Sequence, residues 1–547
     1  MKFDKSILLA ALENAIKHDG KANANAVLGA ILSKEPSLKK NIEKLRKDIN
    51  DIVNNINNLT TEEQEIQFDN LGGEITEKKE EERKLPELKN VKGKVNTRIA
   101  PEPSKYLHVG HALIFIINSY YAYRYKGNCI LRLEDTNPDK ASKEYVDSII
   151  EDLKWLRVKY DKVVFCSDNM DIYYKYAEVL VKKSRAFVCF CSRDIIKNLR
   201  SKKIRCECAK KSASDNLKEW KNMLNGKYKP EQANLRLVGK IDSDNAVLRD
   251  PSIFRISNTQ HYSKGKKYIV WPLYDFENSI EDSIENITHV IRSKEFELRA
   301  ELQNLIKDYL KLKKQEVIEI GRFNISGAIT QGREIRELIE SGKVSGWDDP
   351  QLVTIKALRR RGFVPEAFHE LAKEVGLSKS ETNIDVRILE SISRRLIDKK
   401  VNRYFFVENP KKIKIKNAPK LNAQVPLHPE GNKGIRKFST TDEFYVQDNL
   451  KKGQTYRFMH LFNFKDNKFI SKELDRNLDA KLIHWIPAND NFVKVEIVMD
   501  DGSKLNGIAE SSVRNLKVDD IVQFERFAFC RLDKKSKDKL VFYFAHK

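Results

Sequence analysis

The sequence predicts a multidomain protein in which an α/β domain of Rossmann type carries an insertion. A helical N-terminal extension precedes this domain, and a helical region and an all-β, barrel-like C-terminal region follow it. The 547 residues suffice for several domains of roughly 100–200 residues each. Short apolar strands alternate with amphipathic helices in the first half of the chain, and alternating strands dominate after Asn409. These observations together set the fold class.

The chain carries a large positive charge, with a net charge of +22 and a pI near 9.3. Such an excess favours a polyanionic partner, usually nucleic acid, over the alternative of a generic basic protein. No apolar run approaches the roughly 18 residues that a membrane span requires. Asp4 and Glu13 make the N-terminus a poor signal peptide. We therefore expect a cytoplasmic protein without a membrane partner.

The N-terminal extension is predicted to be helical and to end in a linker. Apolar residues recur at helical spacing around residues 8–16 and 27–32. From residue 60 onwards the composition becomes charged, and the densest charge run lies at 77–84. We interpret this later part as a linker with short helical pieces.

A candidate phosphate site follows the first strand of the α/β domain. Alternating apolar residues predict a strand at 95–99, and Pro101 and Pro103 favour an extended turn after it. His108 and His111 come next, where an apolar helix begins. A helix N-terminus presents free backbone N–H groups and a positive dipole end to an anion. Because this region contains no P-loop and no Gly-x-Gly-x-x-Gly motif, the phosphates must be held in another way.

Four of the seven cysteines form two close pairs in a segment that interrupts the α/β pattern. The pairs are Cys189-x-Cys191 and Cys206-x-Cys208, and this spacing suits a tetrahedral zinc site. The alternative is four reduced structural cysteines. The odd total argues against a secreted disulfide framework and for a reducing compartment. Basic residues that could hold a phosphate backbone crowd around the pairs, namely Arg193, Arg200, Lys202, Lys203, Arg205, Lys210 and Lys211.

The α/β pattern returns after this insertion, and a basic helical segment and short strands follow it. The helical segment contains three consecutive arginines at 359–361. The predicted divisions are the N-terminal helical extension and linker at 1–92, the first α/β half at 93–187, the insertion at 188–268, the second α/β half at 269–322, the helical region at 323–408 and the β-barrel region at 409–547.

Several motifs resemble those of class I aminoacyl-tRNA synthetases, specifically the glutamyl-tRNA synthetases of archaeal and eukaryotic type. His-Val-Gly-His at 108–111 is similar to the HIGH signature of that class. The matches extend in order over nearly the whole chain, so the set is far more specific than this signature alone. The other motifs are Arg-Ile-Ala-Pro-Glu-Pro-Ser at 98–104, Asp-Thr-Asn-Pro at 135–138, Trp-Pro-Leu-Tyr-Asp-Phe at 271–276, Thr-His-Val at 288–290, Gly-Trp-Asp-Asp-Pro at 346–350 and Val-Gln-Phe-Glu-Arg-Phe at 522–527.

The resemblance implies a monomeric enzyme that activates L-glutamate with ATP and Mg²⁺ and transfers it to tRNA-Glu. Whether tRNA-Gln is also a substrate stays open. The resemblance implies that His108, Gly110 and His111 bind ATP and that catalysis consists mainly of positioning and of phosphate-charge stabilisation. It also implies that the insertion binds the tRNA acceptor end, with Zn²⁺ bracing its fold. The helical region would contact the tRNA stem, and the β-barrel region would bind the anticodon.

Glutamate has two carboxylates and one ammonium, so its site should offer two guanidinium groups and one acid. Arg98 and Arg292 are the obvious pair. Glu134 would hold the ammonium, and Tyr274 would donate its hydroxyl. These residues match amino-acid-binding positions of the family, but glutaminyl enzymes lack an arginine at position 292. Since a buried arginine without a partner costs roughly 3–5 kcal/mol, Arg292 favours glutamate.

The chain departs from the family pattern at several positions. Lys105 stands where glycine is usual, Leu113 where lysine is common, and Arg157 where the family has glycine. The second class I signature, a mobile lysine-containing loop, should fall within residues 327–335, which contain no lysine. Arg333 is the nearest replacement cation, so we expect Arg333→Ala to weaken the use of ATP strongly.

Two other functions stay open at this point. A glutaminyl-tRNA synthetase is disfavoured by Arg292. A tRNA-binding protein with a weakened active site is suggested by the unusual loop, but each substrate group still has a residue suited to hold it. Arg132 and Asp135, which lie beside the proposed substrate residues, are interpreted as structural.

Overall fold

The structure, a computed structural model, describes residues 2–17, 20–35, 38, 42–72, 84–430, 433–475, 478–489 and 491–547. The chain divides into two units, Met1–Arg83 and Lys84–Lys547. The charge run at 77–84, predicted as a linker, lies outside the described residues except for Lys84. Among the described residues, no helix combines the length and the apolar composition that would let it span a membrane.

The N-terminal unit is helical, as predicted. Asn23 caps the second helix, because its side chain accepts hydrogen bonds from the backbone N–H groups of Asn25 and Ala26. The third helix buries Leu45, Ile49, Val53 and Ile56, which recur every three or four residues and so lie on one face. The helices are α1 (Lys2–Lys17), α2 (Ala24–Lys34), α3 (Ile42–Asn57) and α4 (Thr61–Asn70).

The larger unit begins with the predicted α/β alternation. Three parallel strands lie in the order β1-β2-β3, and every residue of β1 and β2 is buried. Such burial suits strands that are covered by helices on both faces. The elements are β1 (Thr97–Ile99), α5 (Val109–Arg124), β2 (Cys129–Leu133), α6 (Lys143–Trp155), β3 (Lys162–Phe165) and α7 (Met170–Lys182).

The insertion is built on an antiparallel sheet with the strand order β4-β5-β6-β7. This sheet extends from residue 186 to residue 272, slightly beyond the predicted division at 188–268, because its outer strands continue directly from the flanking α/β elements. The elements are β4 (Ala186–Cys189), α8 (Arg193–Ser201), α9 (Ala213–Leu224), β5 (Asn234–Leu237), β6 (Ser252–Ile256) and β7 (Val270–Pro272).

The α/β pattern then returns with α10 (Tyr274–Ile284), β8 (His289–Ser293), α11 (Glu297–Leu310) and β9 (Glu316–Ile320). Strands β8 and β9 are parallel. The backbone N–H groups of Thr288 and His289 donate to the carbonyl of Asn96, so β8 starts beside β1. The carboxyl ends of β1, β2 and β8 therefore lie at the same edge of the α/β domain.

A mixed segment follows, with β10 (Phe323–Ser326), α12 (Gly332–Glu340), α13 (Ile355–Arg361), α14 (Pro365–Val375), β11 (Thr382–Asp385) and α15 (Val386–Ile397). Strands β10 and β11 are parallel. Helix α13 starts beside the predicted phosphate site, because the Ile355 N–H donates to the carbonyl of Leu107 at 2.9 Å. Gly362 ends this helix in a left-handed conformation, with a φ of 103°.

The C-terminal region is all-β, as predicted. Its largest sheet has the strand order β12-β25-β26-β27-β23-β24-β13, so its two edge strands come from one short segment at 402–408, and the sheet nearly closes into a barrel. This segment precedes the predicted division at 409. The strands are β12 (Asn402–Tyr404), β13 (Phe406–Glu408), β14 (Lys411–Lys414), β15 (Asn422–Pro426), β16 (Ile435–Ser439), β17 (Glu443–Val446), β18 (Thr455–Phe458), β19 (Asn463–Lys465), β20 (Lys468–Ser471), β21 (Lys481–Ile483), β22 (Ile486–Pro487), β23 (Phe492–Val498), β24 (Lys504–Glu510), β25 (Ile521–Phe524), β26 (Ala528–Lys535) and β27 (Lys539–His546).

Candidate active site

Five residues predicted to bind substrates line one cavity of about 630 Å³. They come from separate elements: Arg98 from β1, Glu134 from the loop after β2, Tyr274 from the start of α10, Arg292 from β8 and His111 from the first turn of α5. Ligands of open α/β sheets bind beyond the carboxyl ends of the strands, and this cavity lies there.

Two histidines form a capping box at the start of α5. His108 is the N-cap residue, and its Nδ1 accepts a hydrogen bond from the backbone N–H of Gly110 at 3.1 Å. His111 Nδ1 accepts from the backbone N–H of His108 at 3.2 Å. A Cβ atom at Gly110 would lie 3.0 Å from His108 Cε1, so a side chain there would displace the histidine ring.

Both histidines are held in the neutral form. Burial, followed by the positive charge of Lys105, lowers the pKa of His108 to about 3. Burial, followed by the influence of His108, lowers the pKa of His111 well below its usual value. Since Nδ1 is the acceptor in each ring, Nε2 carries the proton and can donate to an anion. The two histidines therefore cap the helix and still offer donors at its positive end.

Arg98 belongs to a buried ion network beside the cavity. Its Nε donates to Asp282 Oδ1 at 3.2 Å, and Arg132 Nη2 donates to the same oxygen at 2.8 Å. Lys307 Nζ lies 3.8 Å from Asp282 Oδ2, and Arg132 Nη2 also pairs with Glu285 at 2.5 Å. Although burial opposes ionisation, the three cations hold the pKa of Asp282 at about 2. The paired carboxylates offset the positive charge of Arg98 and Arg132 before any substrate binds.

Glu134 has one oxygen engaged and one available. Its Oε1 accepts a hydrogen bond from Asn278 Nδ2 at 2.7 Å, and Arg132 Nη1 lies 4.0 Å from the same oxygen. Among the described residues, Oε2 has no hydrogen-bond partner. Burial raises the pKa of Glu134 to about 7, against the opposing effects of Arg132 and Arg98. A carboxylate in this state is suited to pair with an ammonium group.

Arg292 is 5% exposed and has few counter-charges. Its Nη1 donates to Gln303 Oε1 at 2.9 Å and its Nη2 to the Phe296 carbonyl at 3.2 Å. The Glu319 carboxylate lies 3.7 Å from Nη2, and the buried Nε has no hydrogen-bond partner in the described part of the chain. Tyr274 packs on Phe296, with ring centroids 5.5 Å apart, and so stands next to the guanidinium. An anionic group entering the cavity would complete the pairing of Arg292.

Arg333 lies in a neighbouring cavity of about 430 Å³, whose lining includes Lys105 and Lys140 from the first cavity. It follows the loop between β10 and α12, where the lysine-containing signature was expected. Its side chain is 86% exposed, and its Nε pairs with Glu337 one helical turn away at 2.9 Å. The role of Arg333 in the use of ATP therefore stays a prediction.

Comparison with known proteins places these features in a family. Residues 94–399 match the family described as tRNA synthetases class I (E and Q), catalytic domain. The chain belongs to this family. The C-terminal region of this synthetase matches two families described as anti-codon binding domains of the same class, at 401–483 and 482–533.

Relatives extend over the full chain. The glutamate–tRNA ligase of Methanocaldococcus jannaschii is 39% identical over 100% of both chains. That of Pyrococcus furiosus is also 39% identical over 100% of both chains. That of Methanococcus maripaludis is 37% identical over 99% of this chain and all of its own. The predicted class I glutamyl family is therefore confirmed, and these relatives bear glutamate in their names rather than glutamine.

The insertion of the synthetase brings its four paired cysteines together. The Sγ atoms of Cys189, Cys191, Cys206 and Cys208 all lie within 4.8 Å of one another, and two of the contacts measure 3.7 and 3.9 Å. Zinc–sulfur bonds of about 2.3 Å place the sulfurs of a tetrahedron about 3.8 Å apart. The buried Arg236 donates to two of the sulfurs at 3.5 and 3.3 Å and would balance part of the thiolate charge. The four thiols therefore fit a zinc ion.

Sequence reasoning missed two residues of the active site. Asp282, the partner of Arg98, and Asn278, the partner of Glu134, both project from α10. The available signal was the acidic composition of this helix, which is ordinarily interpreted as a solvated face. In this synthetase that face is buried, with Glu277, Glu281 and Asp282 at most 2% exposed. Asp135, interpreted as structural, accepts hydrogen bonds from both the N–H and the Oγ of Ser167 at 2.8 Å.

Proposed function

We propose that this synthetase binds glutamate and ATP in the cavity described above and transfers the glutamyl group to tRNA-Glu. The glutamate–tRNA ligase activity follows from the family and from the full-length relatives. The observation that carries the substrate assignment is the set of two buried arginines and one carboxylate around a single cavity. This charge pattern complements an amino acid that has two carboxylates and one ammonium.

In the first step, an oxygen of the glutamate α-carboxylate attacks the α-phosphorus of ATP. The bond between the α-phosphorus and the bridging oxygen breaks, which gives glutamyl-adenylate and pyrophosphate. His108 and His111 donate from Nε2 to phosphate oxygens at the positive end of α5. Mg²⁺ bound to ATP would neutralise part of the phosphate charge. Catalysis then consists mainly of positioning and charge stabilisation.

In the second step, the 2′-hydroxyl of the terminal tRNA adenosine attacks the glutamyl carbonyl and displaces AMP. The basic insertion, which carries Arg193 and Lys197 beside a cavity of about 840 Å³, would receive the acceptor end of tRNA. The C-terminal β region would contact the anticodon, in keeping with its family assignment. We propose a monomer that works in the cytoplasm, where translation occurs and the cysteines stay reduced.

Arg292 supports glutamate as the substrate rather than glutamine. A neutral amide would leave Glu319, 3.7 Å from Nη2, as the only counter-charge of the buried guanidinium among the described residues. Because a fully unpaired buried charge costs roughly 3–5 kcal/mol, even part of this cost would disfavour glutamine. The same argument does not separate tRNA-Glu from tRNA-Gln, since both tRNAs would receive the same glutamyl group.

A charging assay tests the function. The full-length protein is incubated with ATP, Mg²⁺, either tRNA-Glu or tRNA-Gln transcripts, and labelled glutamate or glutamine. We expect glutamate on tRNA-Glu and no measurable glutamine on either tRNA. Incorporation of glutamine would contradict the assignment of Arg292, and no incorporation of either amino acid would reject the enzyme function. Glutamate on tRNA-Gln would extend the substrate range.

We also propose that Zn²⁺ occupies the cysteine cluster and braces the insertion. Hydrogen bonds from Cys206 and Arg236 lower the pKa of Cys189 to about 5, against the effect of burial, so a thiolate is favoured there. Elemental analysis of the purified protein should give one zinc per chain. Cys206→Ser should remove it and lower the melting temperature, whereas Cys530→Ser, at a buried cysteine outside the cluster, should retain it. A metal-free wild-type protein would exclude the zinc site.

A further inference from the structure

Lys105 is the residue of the active site whose role the proposed function leaves unexplained. It lines both the cavity of about 630 Å³ that contains His111 and the neighbouring cavity of about 430 Å³ that contains Arg333. It stands where glycine is usual in the family. A half-buried lysine at the junction of two cavities needs a physical reason, because removing an ammonium group from water is costly.

The ammonium group of Lys105 has no partner in the described part of the chain. Within the described ranges no hydrogen bond or ion pair involves it, although Glu102 and Glu295 lie near enough to act on it electrostatically. Burial lowers the pKa of Lys105, and these two carboxylates only partly oppose the effect. After burial, the positive charge of Lys105 also contributes to the lowered pKa of both His108 and His111, so its ammonium lies near the two histidines. An anion placed among these three side chains would relieve this unpaired charge.

Gly332 makes room for Lys105 from the opposite side. A Cβ atom on Gly332 would lie 3.1 Å from Lys105 Cβ and 3.3 Å from Lys105 Cδ. These distances are tighter than ordinary van der Waals contacts, so the lysine stem occupies the space that a side chain at 332 would need. Arg336 Nη1 donates to the Ser104 carbonyl at 3.3 Å, which holds α12 against the Lys105 segment.

We propose that Lys105 binds the β- and γ-phosphates of ATP opposite His108 and His111, and that glycine at position 332 is required for it to do so. This inference rests on the proposed function. Lys105 would supply from the facing segment the cation that the lysine-containing signature provides in the family, since residues 327–335 contain no lysine. As the bond between the α-phosphorus and the bridging oxygen breaks, Lys105 neutralises the negative charge that accumulates on the departing pyrophosphate.

Arg333 is the competing cation, and its geometry is less suited to this task. Its side chain is 86% exposed and its Nε is engaged by Glu337. Arg333 lines only the cavity of about 430 Å³, whereas Lys105 lines both cavities. The two residues therefore predict different mutant kinetics, which makes the assignment testable.

The first experiment compares Lys105→Met with Arg333→Ala and with Lys140→Met. Lys140 lines the same two cavities but is exposed, so it controls for general loss of positive charge. ATP-dependent pyrophosphate exchange is measured with tRNA present. We expect Lys105→Met to lower kcat/KM for ATP by about 10²- to 10³-fold, to leave KM for glutamate within about threefold, and to be partly rescued by Lys105→Arg. Losses of less than about threefold for Lys105→Met, or equal losses for Lys140→Met, would overturn the proposal.

The second experiment exchanges the residues at positions 105 and 332. Gly332→Lys alone should impair the enzyme because its side chain collides with Lys105, and Lys105→Gly alone should impair it because the cation is lost. The double variant Lys105→Gly/Gly332→Lys removes the collision and restores one cation, so we expect at least about a tenfold recovery over either single variant. A double variant no better than the singles would overturn the role of Gly332. Thermal unfolding and tRNA binding identify variants that fail to fold.

Equilibrium binding of ATP separates this inference from the proposed function. Lys105→Met should weaken ATP binding at least about tenfold relative to the wild type, whether or not tRNA is charged. If Lys105→Met binds ATP at least about tenfold more weakly than the wild type but the wild type never charges tRNA, the ligase function fails while the assignment of Lys105 stands. If the wild type charges tRNA and the Lys105 variants bind and use ATP normally, the assignment of Lys105 fails alone.

Discussion

The cavity differs in charge pairing between the end proposed to bind glutamate, the amino-acid end, and the end proposed to bind ATP, the phosphate end. Arg98 at the amino-acid end has a buried carboxylate partner, whereas Lys105 at the phosphate end has no partner among the described residues. The proposed amino-acid end comprises Arg98, Glu134, Tyr274 and Arg292, and the proposed phosphate end comprises Lys105, His111 and Arg333. His108 lies next to His111 at the start of α5. The buried charge of Arg98 is balanced by Asp282 before a substrate binds, whereas Arg292 would complete its pairing with the substrate, because its buried Nε has no hydrogen-bond partner in the described part of the chain. A triphosphate carries a large negative charge, so the cationic donors at the phosphate end need no protein partner before ATP binds.

Arg292→Gln should produce the largest effect, because it removes a buried charge at the amino-acid end. Loss of a desolvated carboxylate partner corresponds to roughly 3–5 kcal/mol, or about 10²- to 10⁴-fold in kcat/KM for glutamate. Arg299→Gln is the matched control, since Arg299 lines the same cavity but is 42% exposed and pairs with Asp275. Aminoacylation kinetics measure both variants. Equal losses would mean that the general field of the cavity, rather than Arg292, selects glutamate.

Substitutions of His108 test whether the use of ATP depends on the helix cap or on the imidazole itself. Asparagine is a good N-cap residue and alanine is not, so His108→Asn should keep the stability that His108→Ala loses, about 1 kcal/mol. Both variants should lose about 10²-fold in kcat/KM for ATP, because neither offers the Nε2 donor. Chemical denaturation and pyrophosphate exchange provide the two measurements. Wild-type kinetics in His108→Asn would assign this histidine to capping alone.

The pH dependence of glutamate binding should give the smallest effect. Burial raises the pKa of Glu134 to about 7, so this carboxyl is largely protonated at pH 6 and ionised at pH 8. Ammonium binding needs the ionised form, and KM for glutamate should therefore fall by about tenfold as the pH rises from 6 to 8. Glu134→Gln should raise KM for glutamate and make it independent of pH. A flat profile in the wild-type enzyme would show that Glu134 does not pair with the ammonium.

Sequence patterns located the two histidines and the cysteine cluster because each is a local arrangement. His108 and His111 are three residues apart, and the helix that starts there fixes their mutual geometry. The four cysteines lie within one insertion, and their spacing already suggested a tetrahedral site. Both features depend on short stretches of chain, for which residue type and spacing carry most of the information.

The run of arginines at 359–361 shows the opposite case. The helical region that contains this run was expected to contact the tRNA stem, yet Arg361 is 4% exposed and donates to the carbonyls of Phe544 and Ala545. Arg360 pairs with Asp533 on β26 at 3.0 Å. Arg360 and Arg361 therefore join α13 to the C-terminal sheet. Composition cannot distinguish this structural role from nucleic-acid binding, because these partners of Arg360 and Arg361 are more than a hundred residues away along the chain.

The sequence by itself determined the family, the order of the structural regions and the candidate residues that we propose bind glutamate and ATP. Only the tertiary structure decided which charges those residues pair with. Asp282 lies 184 residues from Arg98 along the chain, and Gly332 lies against the side chain of Lys105. Motifs are set by local spacing, whereas the energy of a buried charge depends on groups that folding brings together from distant segments.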